Sequence, residues 1–489
     1  MSASAQKCVG EAPSDILLEF FVLHVSSAMN NQFKKSAIVL SAVLLASCDF
    51  GGGDGGSSGV GSVPASTTIY AFGGPSSPAA DGAEPKGSLT VVTVGGKPVL
   101  FGRTAIGGTG GCGIIFSVNP DGSNYQVLYR FGGPDGCDPR HDAMTLDANN
   151  GRLYSTTQGL NQTNNLTYGN QGQIIYFSPG AAILSPIATA HVFSGTPDGA
   201  QQHSSFSIDP DTGMLYGMSA RGGASDDGLL YAVSPQGGGF VALHDFIKAE
   251  GRNPHGRIVL DNGVLYGIAR SDGTLPTGAS GYGAVFAYTL TTPFANGPIS
   301  VLHTFAGSPS DGAMSDHGYL TPVTVDGKRI FFGLTQCGGT GGGADACPAS
   351  SGGGAGVIFQ IDPSAPPGSA AAFSIVHSFQ GTEHGDGADP YGSLMFDGTY
   401  LYGTTSLGGS HDQGTVFRIA AVPFGAVTTP QILYHFGDGP GDGRKPIDNV
   451  IKFNGVLYGM TVYGGANVPS PDSPTETGNG AIFAVPIPN

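Results

Sequence analysis

Beyond residue 66 the chain alternates short apolar runs with polar breaks rich in Gly, Asn, Asp and Pro. Within each run apolar and small polar residues alternate with a period of two, which predicts strands with one buried face. Gly392–Phe417, GSLMFDGTYLYGTTSLGGSHDQGTVF, shows the pattern most clearly and reads as three strands and two turns. Versions of it recur seven times. An aromatic-Gly column runs through Phe101-Gly102, Tyr154-Ser155, Tyr216-Gly217, Tyr266-Gly267, Phe332-Gly333, Tyr402-Gly403 and Tyr458-Gly459. A strand ending on an aromatic follows at Phe116, Tyr176, Tyr231, Phe286, Phe359, Phe417 and Phe483. Another ends at Phe72, Phe131, Phe193, Phe246, Phe305, Phe379 and Phe436, with an acidic residue and Gly shortly after each. No amphipathic helix is evident after the N-terminal region.

Each unit therefore holds four strands of about five residues, the usual strand length. One such sheet cannot bury both faces, but sheets stacked in a ring bury each other and protect their edges. The expected fold is all-β: a seven-bladed β-propeller of four-stranded antiparallel blades over 67–489. The phase adds a detail. The repeats begin with a lone strand, Thr67–Phe72, and end with three strands of the last unit, so the first strand is expected to complete the last blade and close the ring. With LHTFAG and Asp-Gly flanking it, LYGTTSLGG…GTVF resembles the bacterial GloVer tandem repeat of exported and surface-anchored proteins. That resemblance covers about 67–489 and implies repeats and anchoring, with no reaction and no catalytic residues to carry over.

The N-terminal segment reads as an address. From Met29, Lys34 and Lys35 precede an apolar stretch too short to span a bilayer comfortably, ending at Leu45-Ala46-Ser47-Cys48. This resembles a bacterial lipoprotein signal over 29–47, with Cys48 lipidated as the first mature residue. Residues 1–28 fit such a signal poorly and read as a mis-assigned start. Residues 48–66 are Gly/Ser-rich, a tether. The remaining cysteines, Cys112, Cys137, Cys337 and Cys347, are an even set in an exported chain, and the pairs Cys112–Cys137 and Cys337–Cys347 are expected. No CxxC or nearby His pair supports zinc at these cysteines.

Charge narrows the partners. With 20 Lys and Arg against 36 Asp and Glu, the net charge of −16 argues against nucleic acid and against binding anionic membranes by charge. The lipid anchor is the only membrane link expected. His191, His244, His303 and His377 recur in register, two residues before the repeat Phe. They fall on outermost strands, ~14 Å from the innermost at the usual strand spacing, so they are expected to pack and hydrogen-bond between blades rather than meet on one ion. The Asp column Asp147, Asp209, Asp261, Asp326 and Asp397 reads as turn caps rather than calcium ligands. No Ser/His/Asp ordering, GxSxG elbow or P-loop emerges, so no catalytic residue and no cofactor is assigned. Asp142, His203, His255 and His317, just before inner strands, are the residues that could face the channel mouth and hold a metal there. The expected role is a monomeric, lipid-anchored binding module of the bacterial cell envelope. Its ligand would be a protein or a glycan, met through insertions on one face at Gln158–Gly172, Ser271–Gly283, Cys337–Gly356 and Ala466–Gly480. The alternative is a propeller enzyme, a lyase or lactonase-like hydrolase with a metal in its channel.

Overall fold

The computed structural model describes residues 67–73, 80–161, 166–167, 171–180, 187–342, 347–382, 385–466 and 478–488. The signal, Cys48, the tether and parts of three insertions lie outside them. The described chain forms a β-propeller of seven four-stranded antiparallel sheets. Blade 6 is typical: Met395–Phe396, Tyr400–Thr405, Thr415–Ala420 and Gln431–His435 follow one another from the inner to the outer edge. Blade 7 takes three strands from the C-terminal end, and its outer position is filled by Thr67–Ala71, antiparallel to Ala481–Pro486. Among the described residues no helix is long and apolar enough to cross a membrane.

The apolar core lies between blades. Each sheet sends one face to the blade before it and one to the blade after. Phe72, Ile482 and Met460 of blade 7 pack with Leu100, Ile114 and Phe116 of blade 1, and six similar clusters join the other neighbours. The aromatic-Gly column has a steric origin here. Gly403 lies opposite Phe417 in the ladder, and a Cβ on it would come 2.6 Å from the Phe417 ring. Blade 2 is the exception that explains itself: Ser155 lies opposite Ile175, not Tyr176, so no ring covers it and a side chain fits.

The Asp-Gly column ties each outer strand to the next blade. The carboxylate of the pair accepts from the Tyr or His two residues before the repeat Phe: Tyr70 Oη donates to Asp81 at 2.7 Å and Tyr434 Oη to Asp442 at 2.9 Å. His191 Nε2 lies 3.0 Å from Asp198, His244 Nε2 2.9 Å from Glu250, His303 Nε2 3.0 Å from Asp311 and His377 Nε2 2.8 Å from Asp386. Tyr129 meets Asp135 in the same way. Three of these rings also stack on an aromatic of the following blade: Tyr70 on Tyr125 at 3.8 Å, His191 on Phe240 at 4.3 Å and His303 on Phe373 at 3.9 Å. The paired Gly is required because a Cβ would strike the side chain ending the second strand, 2.7 Å from Thr335 at Gly312. In the other Asp column three residues cap turns: the Asp147, Asp209 and Asp397 carboxylates each accept a backbone N–H two residues on, at 2.9 Å, whereas Asp261 accepts from the Arg329 guanidinium at 2.9 Å.

Both disulfides form as paired above, Cys112–Cys137 and Cys337–Cys347. They suit an oxidising compartment.

Candidate functional site

Counting back from the buried apolar residue that opens each inner strand gives a new register. Leu89, Met144, Phe206, Ile258, Leu320, Leu394 and Val450 are those residues, each at most 2% exposed. The third residue before each is Lys86, His141, His203, His255, His317, Tyr391 and Ile447, and all seven line one cavity of about 400 Å³. Since every blade contributes, the cavity lies where the blades converge. The backbone is turned toward it by a left-handed residue just upstream in every blade: Glu84, Asp138, Gln201, Asn253, Met314, Asp389 and Lys445 have φ between 50° and 57°. Such conformations are uncommon for residues with a Cβ and persist where surrounding structure enforces them.

Blades 2 and 5 depart from the register. Between the left-handed residue and the lining position they carry one residue more than the others. The extra length brings Arg140 beside His141 and Asp316 beside His317, and both additional side chains also line the cavity. Each longer segment is braced by a disulfide. Cys137 immediately precedes Asp138, and Cys337 pairs in a short ladder with Ala313, next to Met314.

The imidazoles gather closely. His141 stacks on His317 with centroids 3.5 Å apart, His203 on His255 at 4.3 Å, and His141 lies 5.3 Å from His203. Asp316 organises one side: His255 Nδ1 lies 2.8 Å from its Oδ1, Arg270 Nε 2.5 Å from the same oxygen, and Tyr391 Oη donates to Oδ2 at 2.7 Å. His317 Nε2 is 3.7 Å from Oδ1, while its Nδ1 is buried without a hydrogen-bond partner among the described residues.

Burial is the main force on these groups. It pushes His317 down to about 3 and holds His141 and His203 well below the usual imidazole range, with neighbouring rings and Arg140 adding to the effect. Burial alone would raise the Asp316 carboxyl, but His317, His255 and Arg270 outweigh it and hold it well below the usual carboxylate range. With the His317 ring neutral near pH 7, Arg270 is the permanent cation of that group. The phenol of Tyr391 is driven far up by burial and by Asp316, so it acts here as a hydrogen-bond donor.

Of the four positions singled out from sequence, three meet here: His203, His255 and His317. Asp142 does not. Its carboxylate accepts from Ser205 Oγ at 2.6 Å, its N–H donates to Asp448 at 2.7 Å, and its neighbour His141 takes the lining place. His141, Asp316, Arg140 and Arg270 were missed. The signal for the first was the count from the inner-strand apolar residue. The signal for Arg140 and Asp316 was the extra residue in blades 2 and 5. Arg270, at the end of a second strand, left no such signal. The rim histidines stay apart, each with its own carboxylate.

The mouth and the insertions share one end of the propeller. In an antiparallel four-stranded sheet, the second-to-third connections leave at the end where the inner strand begins. His191, His244, His303 and His377 belong to the outer edge. Among the described residues, groups of three side chains placed to share a metal ion occur only at the mouth: His141, His203 and His317 form one, and His255, Asp316 and His317 another.

A search of curated sequences returns no match. Several solved propellers are similar in fold. Polysaccharide lyase Uly1 is 11% identical, over 84% of this chain and 91% of that one, with a TM-score of 0.45. A putative 6-phosphogluconolactonase from Bacteroides uniformis is 13% identical, over 69% and 81%, at 0.41. A Trypanosoma rangeli sialidase, solved with sialic acid, is 12% identical, over 73% and 57%, at 0.40. Likeness at this level carries no chemistry across. The family model does more: it matches residues 50–279, 163–347 and 277–488, so the chain belongs to the Gloeobacter/Verrucomicrobia repeat family.

Proposed function

We propose that this propeller is a binding module of the cell envelope, tethered by a lipid on Cys48, that captures an acidic glycan at its channel mouth. One observation carries the reading. In a chain of net charge −16, Lys86, Arg140, Arg270 and Lys445 line a single cavity together with two carboxylates, Asp316 and Asp389, while Glu84 pairs with Lys86 and Asp138 with Arg140 from behind the lining. Burial raises the Asp389 carboxyl. Guanidinium and ammonium groups converging in a concavity suit a carboxylate or sulfate. The cavity, about 400 Å³, is of a size for a sugar unit rather than for a protein surface.

Titration with a polyuronate, a sulfated polysaccharide and a neutral glucan tests this. The acidic polymers should bind, with affinity falling as salt rises, and Lys86→Ala with Arg140→Ala should weaken them at least ~10-fold, a loss of about 1.4 kcal/mol. Equal binding of the neutral glucan, or none of either acidic polymer, rejects the reading. For the anchor, membrane-fraction protein should carry a lipid on Cys48; an unmodified chain starting at Met1 rejects it.

The imidazole cluster favours a second reading, an enzyme with a metal in the channel. Shortening of the bound polymer on incubation would select it over simple capture.

A further inference from the structure

We propose that the mouth holds one borderline transition-metal ion, of the zinc, cobalt or nickel kind, on His141, His203 and His317. This inference does not rest on the acidic-glycan reading. It starts from convergence: one donor atom from each of these three imidazoles lies within 4.8 Å of the others. They come from blades 2, 3 and 5, so the fold, not local sequence, brings them together. Donors at ~2.0–2.1 Å from a tetrahedral ion are roughly 3.4 Å apart. A small inward swing of the rings closes the gap, and the His141–His317 stack must open as they tilt.

A second observation points to a ligand. His317 is 3% exposed, and its Nδ1 makes no hydrogen bond within the described residues. A buried ring nitrogen left in that state costs stability that nothing around it recovers. The Gln158 amide nitrogen lies 3.3 Å from His203 Nδ1. Turned over, that amide would accept an N–H from the ring through its oxygen and leave the other nitrogen unprotonated, the support that metal-bound histidines usually have.

The competing donor set, His255, Asp316 and His317, is already engaged. His255 Nδ1 and the Arg270 guanidinium both occupy Asp316 Oδ1, and Tyr391 occupies Oδ2. An ion there would displace or face a guanidinium. On the His141 side the lining cation Arg140 is paired with Asp138, which lowers the cost of adding a dication. Imidazole donors favour zinc, cobalt, nickel or copper over magnesium or calcium. Three protein ligands leave a coordination position open toward the cavity, the pattern of metal sites that bind exogenous ligands.

The test uses the full chain, without an affinity tag, stripped with chelator and dialysed. Titration with Co²⁺ alone, followed by visible absorption, should give a single saturable site whose bands vanish when Zn²⁺ is added. His317→Ala and His203→Gln should each weaken it at least ~10-fold, the loss typical of disturbing a metal site. His191→Ala, at the rim, should bind as the parent does. Circular dichroism checks each variant, and should one fail to fold, the other decides. No saturable Co²⁺ site in the parent overturns the proposal. So does binding that both variants leave unchanged. Loss in His317→Ala with full retention in His203→Gln overturns it too, because that result assigns the ion to His255 and Asp316. An anomalous peak in Co²⁺-soaked crystals at His141, His203 and His317 would support it, and a peak elsewhere would not.

Discussion

At the rim, His191, His244, His303 and His377 each meet one carboxylate of their own; at the mouth, His141, His203, His255 and His317 crowd one cavity around Asp316. The same residue types thus do two kinds of work. The rim column is filled in all seven blades by Tyr or His and is hydrogen-bonded in each, as a joint between consecutive blades must be. The mouth column changes character from blade to blade, Lys, four His, Tyr and Ile, and leaves a buried His317 nitrogen without a hydrogen-bond partner among the described residues. In a repeat protein, a column that repeats with its bonds made belongs to the architecture. One that occupies a fixed place while its chemistry varies belongs to what the ring does.

The rim should hold most of the stability, and the outer strand of blade 7 is where that is tested hardest. Thr67–Ala71 pairs with Ala481–Pro486, Tyr70 makes the rim bond to Asp81, and Phe72 is fully buried against Phe116 at 5.4 Å. We propose that this strand closes the ring. Removing residues up to 73 should cost at least about 4 kcal/mol, since losing one buried Phe side chain alone costs ~3–5 kcal/mol. An unchanged melting temperature would show that the ring closes without it.

Next come the disulfides, which brace the two lengthened mouth segments. Replacing Cys112 and Cys137 by Ser should lower stability by ~2–4 kcal/mol. It should also loosen the segment from Asp138 to His141, so binding at the mouth should weaken with it. A loss of stability with mouth binding untouched would separate the brace from the site.

A paired substitution sharpens the contrast directly. His303→Ala removes a bond to Asp311 and a stack on Phe373, and should cost about 1–3 kcal/mol while leaving mouth binding intact. His203→Ala should do the reverse, changing stability by less than about 1 kcal/mol but removing the metal or glycan signal. The same effect from both would dissolve the distinction between rim and mouth.

Much of this was legible in the sequence because it repeats. Strand order and the blade 7 phase followed from columns that recur, and the cysteine pairs from an even set in an exported chain. The rim histidines were legible for the same reason: which strand of the blade a residue falls on fixes its distance from the axis. The mouth was half legible. His203, His255 and His317 stand out just before inner strands, but in blade 2 the choice fell on Asp142 rather than His141. Adjacent residues there face different surroundings, so a slip of one position moves a side chain from the cavity into the packing between blades. Tyr176 erred in the same way, since Ile175 lies opposite Ser155. Both slips fall in blade 2, where an added residue precedes the inner strand and Ser155 replaces the guiding Gly. Arg270 was out of reach because its pairing with Asp316 joins two blades, and single-repeat columns carry no cross-blade distances.

Behind the mouth lies a last contrast, a carboxylate held under strain. Asp448 is fully buried near Asp142 and accepts from Ser88 Oγ, from the Asp142 N–H and from the Asn449 N–H, each at 2.7 Å. Burial first, then the Asp142 charge, raises it to about 7, against about 3.9 in the unfolded chain. Between those values the folded state keeps a proton that the unfolded state has released, so this group's contribution to stability falls as pH rises. Its slope approaches about 1.4 kcal/mol per pH unit and flattens above pH 7. The buried histidines act in the opposite direction: their lowered values make folding more favourable as pH rises toward 6.5. The total curve therefore mixes both, and the difference between parent and Asp448→Asn, measured in chelator by denaturant unfolding, isolates the carboxylate. That difference should move in the variant's favour from pH 5 to pH 7 and then level. A flat difference would mean that Asp448 ionises freely behind the mouth, and that its three donors, rather than its burial beside Asp142, set its charge.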